Sequence, residues 1–270
     1  MEEPLFLPAD GRRLFGVLHQ PDGESRGCGF VFCAPFAEEH KQGYRVFVEL
    51  ARRLTAHGFP CVRFDYRGTG DSEGPFTDFT LAGAIADIAA ASAFLRERTG
   101  VARVGLVGLR LGASLAWRAA AEGQDVARLA LWQPIVDGKL FYKLNIRRML
   151  IRQMMTAGKA EGERATQDKT AIDLDGFLAS RTTCEELKEL DLRTGDRPAA
   201  ATLLVQFAHN TEPSGEMAPL VDALGGEDQF LPLILEPFWQ RLGYVDCSVA
   251  MDATVAWALE REGAGAEAPA

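Results

Sequence analysis

Several features that mark particular classes of protein are scarce in this sequence. The chain has only four histidines, and no two of its five cysteines form a CxxC pair, which argues against a zinc ribbon or a disulfide framework. We expect reduced thiols and a cytoplasmic location. No HxxxH, HxH or Walker A pattern occurs, so the sequence predicts neither a metal site nor a cofactor.

Long apolar runs are also missing. None approaches the roughly 18 residues that a membrane span needs. Residues 1–20 lack the basic and apolar segments of a signal peptide. We therefore expect neither a membrane span nor a secretion signal.

Positive charge is in deficit. The 29 Lys and Arg residues against 38 Asp and Glu residues give a net charge of -9, which disfavours a nucleic-acid partner. With 47% hydrophobic and 25% charged residues, the composition is that of a globular protein. The length suits one large α/β domain or two small ones, and a homodimer is possible.

Short apolar runs alternate with segments of helical periodicity. This order predicts a mostly parallel sheet with helices on both faces and a ligand site at the carboxyl ends of the strands. The predicted strands are 29–34, 60–64, 104–107, 129–132, 202–207 and 230–235, and the predicted helices are 44–57, 81–98, 111–121 and 248–261.

Residues 138–200 interrupt this alternation. We expect a core of residues 1–137 and 201–262, a helical cap over 138–200 and a flexible tail at 263–270. Residues 139–159 carry basic side chains and no acid: Lys139, Lys143, Arg147, Arg148, Arg152 and Lys159. These charges either face water or form a basic helix that binds an anionic ligand, an acidic partner or a membrane surface.

Two motifs carry a resemblance to a known superfamily. Residues 65–74 read DYRGTGDSEG, and residues 104–113 read VGLVGLRLGA, a strand followed by a Gly-x-x-x-Gly turn and a helix. They resemble the D-x-R-G-x-G-x-S-x-G loop and the G-x-S-x-G nucleophile elbow of the α/β-hydrolase superfamily. The resemblance implies the α/β-hydrolase fold and hydrolase ancestry, with a structural role for Ser72.

Three further segments resemble one subgroup, the exosortase A system-associated hydrolase 2 group. They are APFAEE at residues 34–39, LWQPIVDGK at 131–139 and PFWQ at 237–240. The resemblance implies association with a bacterial protein-sorting and exopolysaccharide system. It implies no particular substrate.

The sequence departs from the superfamily at all three catalytic positions. Arg110 stands where the resemblance places the nucleophilic serine, and Ser114 lies one helical turn beyond it. The segment expected to supply the acid reads QFAHNTE at 206–212, and the segment expected to supply the histidine reads EPFWQ at 236–240. Serine-hydrolase chemistry of the Ser-His-Asp type is therefore not predicted.

Arg110 would lie at the positive amino end of the helix that begins near Leu111. An unpaired buried cation costs about 3–5 kcal/mol, so we expect a carboxylate beside it. Glu236, Glu38 and Glu39 are the candidates in the chain. The alternatives are a bound carboxylate or phosphate, or a relaxed turn that exposes Arg110 to solvent.

An oxyanion hole is expected to remain beside this turn. Its donors would be the backbone N–H of Leu111 and one from Phe36 or Ala37, with Trp239 and Phe238 as apolar wall. Phe238 is more typical of the core, and Cys33 is expected to be a buried thiol rather than a nucleophile.

Two functions are compatible with these residues. The first is binding of an acyl or carboxylate ligand, or of a protein partner, without hydrolase chemistry. The second is hydrolysis of an ester, thioester or amide by a non-serine route, with His209 as general base, Glu236 orienting it and Arg110 stabilising the oxyanion. In the first case His209 is an ordinary surface residue.

Overall fold

The computed structural model describes residues 1–156, 171–174, 176–241, 243 and 245–265. Within them the strands are β1 Glu2–Ala9, β2 Arg12–His19, β3 Cys28–Cys33, β4 Cys61–Phe64, β5 Arg103–Leu109, β6 Arg128–Trp132, β7 Ala171–Asp173, β8 Leu178–Ser180, β9 Ala201–Ala208 and β10 Gln229–Ile234. The helices are α1 Glu38–Ala56, α2 Leu81–Thr99, α3 Leu111–Ala121, α4 Gly138–Thr156, α5 Arg181–Glu189, α6 Ala218–Asp222 and α7 Ser248–Gly265.

The main sheet has eight strands in the order β1-β2-β4-β3-β5-β6-β9-β10. From β4 to β10 all neighbours are parallel, and β2 pairs with β1 and β4 antiparallel. Every residue of β3, β4 and β6 is buried, as expected where helices cover both faces of a parallel sheet. The predicted α/β-hydrolase fold is therefore confirmed.

The sequence did not predict the hairpin of β1 and β2. Its turn is made by Asp10 and Gly11, both at positive φ, a conformation that Asp-Gly pairs favour. Most of β1 alternates between exposed and partly buried positions, because it is the edge strand. Such a strand lacks the fully apolar run that identifies the central ones.

Two helix boundaries differ from the prediction by more than one residue. Helix α1 begins at Glu38 rather than at residue 44, directly after a turn at Ala37. Helix α7 continues to Gly265, so residues 263–265 of the expected flexible tail are helical. Residues 266–270 of that tail lie outside the described residues.

The expected cap segment, residues 138–200, lies between β6 and β9. It contains α4, the small antiparallel sheet of β7 and β8, and α5, which packs against α4. Lys159 of the predicted basic helix falls outside the described residues. Among the helices that are described, none combines the length and apolar character required to cross a bilayer.

Candidate active site

A tight turn joins β5 to α3, and Arg110 stands at its apex. The residue precedes the first turn of α3 and has φ 56° and ψ -120°, a conformation that L-amino acids rarely adopt. The two flanking glycines allow this geometry. A Cβ on Gly108 would overlap the backbone of Ala113, and a Cβ on Gly112 would overlap the carbonyl of Cys33. The Gly-x-x-x-Gly spacing thus forms the elbow that the sequence predicted.

A second turn of the same shape joins β3 to α1. Ala37 there has φ 53° and ψ -125°. Among the described residues, the backbone N–H groups of Phe36, Ala37 and Leu111 donate no hydrogen bond. All three residues line one cavity of about 210 Å³. Free N–H donors of this kind are what an oxyanion hole would need.

The Arg110 side chain points into a polar cluster. Its Nε donates to Glu39 Oε1 at 3.3 Å, and its Nη1 donates to the carbonyl of Gln133 at 3.3 Å. The guanidinium lies over the ring of Trp239, with Cζ 5.0 Å from the ring centroid. Nη2 makes no hydrogen bond to any described residue. The cation is therefore paired, but its donor capacity is not exhausted.

Glu39 is the carboxylate of this cluster and is almost completely buried. Burial raises the pKa of its carboxyl group, and the neighbouring Arg110 partly offsets that effect. Its Oε2 and the Nε1 of Trp239 are both buried without a hydrogen-bond partner among the described residues. Both residues line a cavity of about 380 Å³ that also contains Asn145 and Arg148 of α4. Unmatched buried polar atoms call for an explanation, and beside a cavity a bound polar group is one that can be tested.

The other two carboxylates expected near Arg110 have different partners. Glu38 faces solvent and accepts a hydrogen bond from Lys41 Nζ at 3.0 Å. Glu236 is about half exposed and forms an ion pair with Arg241.

The expected contact between His209 and Glu236 is not formed. His209 is exposed and makes no hydrogen bond to any described residue. Buried Gln206 shapes this loop, because its side chain accepts from Ser214 N and donates to Glu212 O, both at 2.8 Å. The loop after β9 thus does not bring His209 to Glu236.

The serine and cysteine side chains in or next to the two motifs and in β3 have structural surroundings. Ser114 Oγ is buried and hydrogen bonds with both the carbonyl and the N–H of Ile135 at 2.8 Å. Ser72 Oγ donates to Asp65 O at 2.6 Å. Burial raises the pKa of the Cys33 thiol to about 12, so it is protonated at neutral pH. Phe238, as expected for a core residue, is buried against Phe207.

Sequence reasoning missed four members of the site. Gln133 has a positive φ of 46°, and its carbonyl contacts Arg110. Arg148 lines the larger cavity together with Phe141 and Asn145. Phe141, Asn145 and Arg148 have the spacing i, i+4 and i+7, which indicates a shared helix face. The sequence does not show which way that face points.

A histidine–carboxylate contact was also missed. His40 Nε2 lies 3.4 Å from Asp65 Oδ1, and His40 lines the 210 Å³ cavity. The cavity is otherwise mainly apolar, with Phe36, Phe76, Phe79 and Phe177 among its walls. Among the described residues, no group of three His, Cys, Asp or Glu side chains could hold a metal ion.

Comparison with known proteins agrees with this fold. Residues 24–194 match the family Hydrolase_4, described as serine aminopeptidase, S33. The chain belongs to this family. A search of curated proteins gives no match.

Solved structures of esterases share the fold of this Hydrolase_4 member. Est1E from Butyrivibrio proteoclasticus with bound ferulic acid has a TM-score of 0.66 and 16% identity, covering 95% of this chain and 98% of its own. An esterase from Pyrococcus furiosus has a TM-score of 0.65 and 13% identity, with 97% and 91% covered. The esterase domain of a Rhodothermus marinus protein has a TM-score of 0.61 and 20% identity, with 96% and 98% covered.

Proposed function

We propose that this protein binds a small acyl ligand bearing a carboxylate or an amide beside Arg110, and that it does not hydrolyse esters through an acyl-serine intermediate. One observation carries the proposal. The residue at the apex of the elbow is an arginine whose Nη2 donates to no described residue, and the buried Glu39 Oε2 and Trp239 Nε1 near it also lack a partner among the described residues. An arginine at this position offers no hydroxyl for acylation and is protonated at all physiological pH values.

The unmatched atoms define the chemistry that the ligand must offer. Arg110 Nη2 and Trp239 Nε1 are donors, so they require an oxygen acceptor. Glu39 Oε2 is an acceptor when ionised, so it requires an N–H or O–H. A primary or secondary amide supplies both, and so does a hydroxy acid. A plain carboxylate satisfies the donors and competes with Glu39 for Arg110.

The apolar part of the ligand has a matching space. The 210 Å³ cavity and the 380 Å³ cavity share Phe36 and Ala37 in their walls. A polar head beside Arg110 could therefore continue into an aromatic or short aliphatic group among the phenylalanines. The free N–H groups of Ala37 and Leu111 would bind a carbonyl oxygen at the junction of the two.

We also propose membership of the exosortase A system-associated hydrolase 2 group. The three segments that resemble this group each supply one direct contact to Arg110: Glu39 from residues 34–39, Gln133 from 131–139 and Trp239 from 237–240. A shared environment for one side chain explains why these separate segments would be retained together. The alternative route through His209 and Glu236 has no comparable contact in its favour.

Calorimetric titration tests the binding proposal. Wild type is titrated with a series of aryl and short-chain carboxylic acids and their amides, beside Arg110→Gln and Arg118→Gln. Arg118 is a matched control, because it lies on α3, the helix that Arg110 precedes, and pairs with Glu122 at the surface. Loss of binding in Arg110→Gln alone supports the site. Equal affinity in all three proteins, or no binding by wild type, contradicts it.

A fluorophosphonate tests the absence of a nucleophilic serine. Such reagents phosphonylate activated serine hydroxyls, so the intact mass of wild type is expected to remain unchanged. Stoichiometric addition of the reagent would show a functional serine nucleophile and would contradict the proposal. Circular dichroism recorded on the same samples distinguishes folded, unreactive protein from unfolded protein.

A further inference from the structure

Helix α4 exposes an unusual number of large apolar side chains. Five of them are between 44% and 80% exposed: Leu140, Leu144, Leu150, Ile151 and Met154. Elsewhere in the described residues, exposed large apolar residues occur singly or in pairs on different elements. A group of exposed apolar side chains on one helix face indicates a contact with a protein partner or a membrane.

The same helix is basic. Its sequence, GKLFYKLNIRRMLIRQMMT, contains no Asp or Glu, in a chain whose net charge is -9. Lys139, Lys143, Arg147 and Arg148 are all exposed. Surface helices of acidic proteins ordinarily carry both signs of charge, so this one has a distinct local potential.

Apolar and basic residues share one face of α4. At 3.6 residues per turn, Leu140, Leu144 and Ile151 fall along one line of the helix surface, with Lys143 and Arg147 on one flank of it and Arg148 on the other. The opposite face is turned inward, where Phe141 is buried and Tyr142 and Ile146 pack against the core. Long basic side chains beside leucines can reach lipid phosphates while the leucines enter the acyl region.

We propose that α4 docks this protein on an anionic lipid surface. The basic residues of α4 complement an anionic partner, and its exposed apolar side chains complement the acyl region of a lipid surface. A second copy related by a two-fold axis would bring the same basic residues against each other, which is unfavourable. A free anion would satisfy the charges but would leave five apolar side chains in water.

Docking through α4 would also place the binding cavity next to the bilayer. The inward side of the helix contributes Phe141 and Asn145 to the 380 Å³ cavity, and Arg148 lies at its edge. A ligand with an acyl group could then pass from the lipid to the cavity along one helix. The docking itself does not depend on the ligand proposed above, and it can be tested without any ligand.

Vesicle co-sedimentation tests the proposal with the full chain. Wild type is mixed with vesicles of phosphatidylcholine alone, or of phosphatidylcholine and phosphatidylglycerol in equal parts. Binding is expected only with the anionic vesicles and is expected to weaken as salt is added. Lys139→Gln/Lys143→Gln should weaken it at least about tenfold, because each cation near an anionic surface contributes about 1 kcal/mol. Leu144→Ser/Ile151→Ser should weaken it similarly.

Matched controls have the same changes on other surfaces. Arg98→Gln/Arg118→Gln removes two exposed cations from α2 and α3, and Ile234→Ser/Val249→Ser removes two exposed apolar residues. Both are expected to bind as wild type does.

Three outcomes would overturn the proposal: no binding of wild type to anionic vesicles, equal loss in the controls, or α4 variants that bind normally. Concentration-dependent dimerisation lost in the α4 variants, without vesicle binding, would assign this face to a second copy instead. Binding of a polyglutamate peptide but not of vesicles would assign it to an acidic protein. Ligand titration of the α4 variants separates failure of docking from failure of the cavity.

Discussion

Two buried ion pairs of this protein differ in how completely they are satisfied. Asp87, on α2, is fully buried and accepts Arg67 Nη2 at 2.6 Å, Arg67 Nε at 3.0 Å and the Arg67 backbone N–H at 2.9 Å. Glu39, on α1, accepts one bond from Arg110 at 3.3 Å, and its second oxygen has no partner among the described residues. In both pairs the arginine follows a strand of the main sheet and the carboxylate lies on a helix.

The difference separates a structural pair from a candidate binding pair. At Arg67, both carboxylate oxygens of Asp87 accept hydrogen bonds, which ties the arginine to α2. At Arg110, Nη2 and the Oε2 of Glu39 have no partner among the described residues, and Glu39 lines the 380 Å³ cavity. Incomplete pairing of a buried charge is unfavourable, and a bound polar group would relieve it.

The largest expected effect is at the saturated pair. Asp87→Asn leaves the Arg67 guanidinium without its counter-charge, and should lower the free energy of unfolding by about 3–5 kcal/mol. Urea denaturation followed by circular dichroism measures this. Glu122→Gln, which breaks the exposed pair with Arg118, should change stability by less than about 1 kcal/mol. A similarly small effect in both variants would contradict the assignment of Arg67 and Asp87 as a structural pair.

Compared with Asp87→Asn, Glu39→Gln should have a smaller effect on stability and a larger effect on ligand binding. Glu39 accepts only one bond from Arg110, at 3.3 Å, and the amide oxygen can still accept it, so we expect a loss of about 1 kcal/mol, less than at the many-bonded Asp87. Affinity for an anionic ligand should rise about tenfold, because the guanidinium is no longer neutralised. Glu38→Gln is the matched control one residue away, and it should change neither quantity. If Glu39→Gln were as destabilising as Asp87→Asn, the pair would be structural.

The affinity for anions should depend on pH through Glu39. Burial raises the pKa of this carboxyl group, so it takes up a proton at a higher pH than an exposed glutamate. Protonation removes the charge that competes for Arg110, and an anion therefore binds more tightly as the pH is lowered through that pKa. An alkyl sulfonate is the suitable probe, because it stays ionised throughout. A pH slope that persists in Glu39→Gln would assign the effect to another group.

Trp239→Phe should have the smallest effect on ligand affinity. The change keeps a ring beside Arg110, but it removes an N–H that has no partner among the described residues and leaves a small void, because Trp239 is buried against Phe207. Stability should fall by about 1–2 kcal/mol. Ligand affinity should fall roughly fivefold if the N–H binds the ligand, as one hydrogen bond to a charged or polar group would require. An unchanged dissociation constant would remove Trp239 Nε1 from the site.

Much of the fold could be predicted from the sequence. The apolar runs of the central strands, and the glycines at 108 and 112, identify a buried parallel sheet and its elbow because their physical causes are local. Helix α3 occupies the predicted residues, 111–121. The edge hairpin of β1 and β2 was missed, since strands at a sheet edge carry a weaker apolar pattern.

The site could be predicted only in part. Arg110 and Trp239 follow from their positions at strand ends, and Glu39 was one of three acidic candidates. The selection of Glu39 over Glu236 depends on the early start of α1, which in turn depends on the strained turn at Ala37. Positive φ at a non-glycine residue leaves no signature in composition or periodicity. The contributions of Gln133 and Arg148 depend likewise on tertiary packing.

A crystal structure with the tightest ligand of the titration series tests the central claim most directly. The proposal predicts a ligand oxygen within hydrogen-bond distance of Arg110 Nη2 and Trp239 Nε1, with the apolar group toward Phe36. A ligand bound away from Arg110, or covalently attached to a serine, would contradict it.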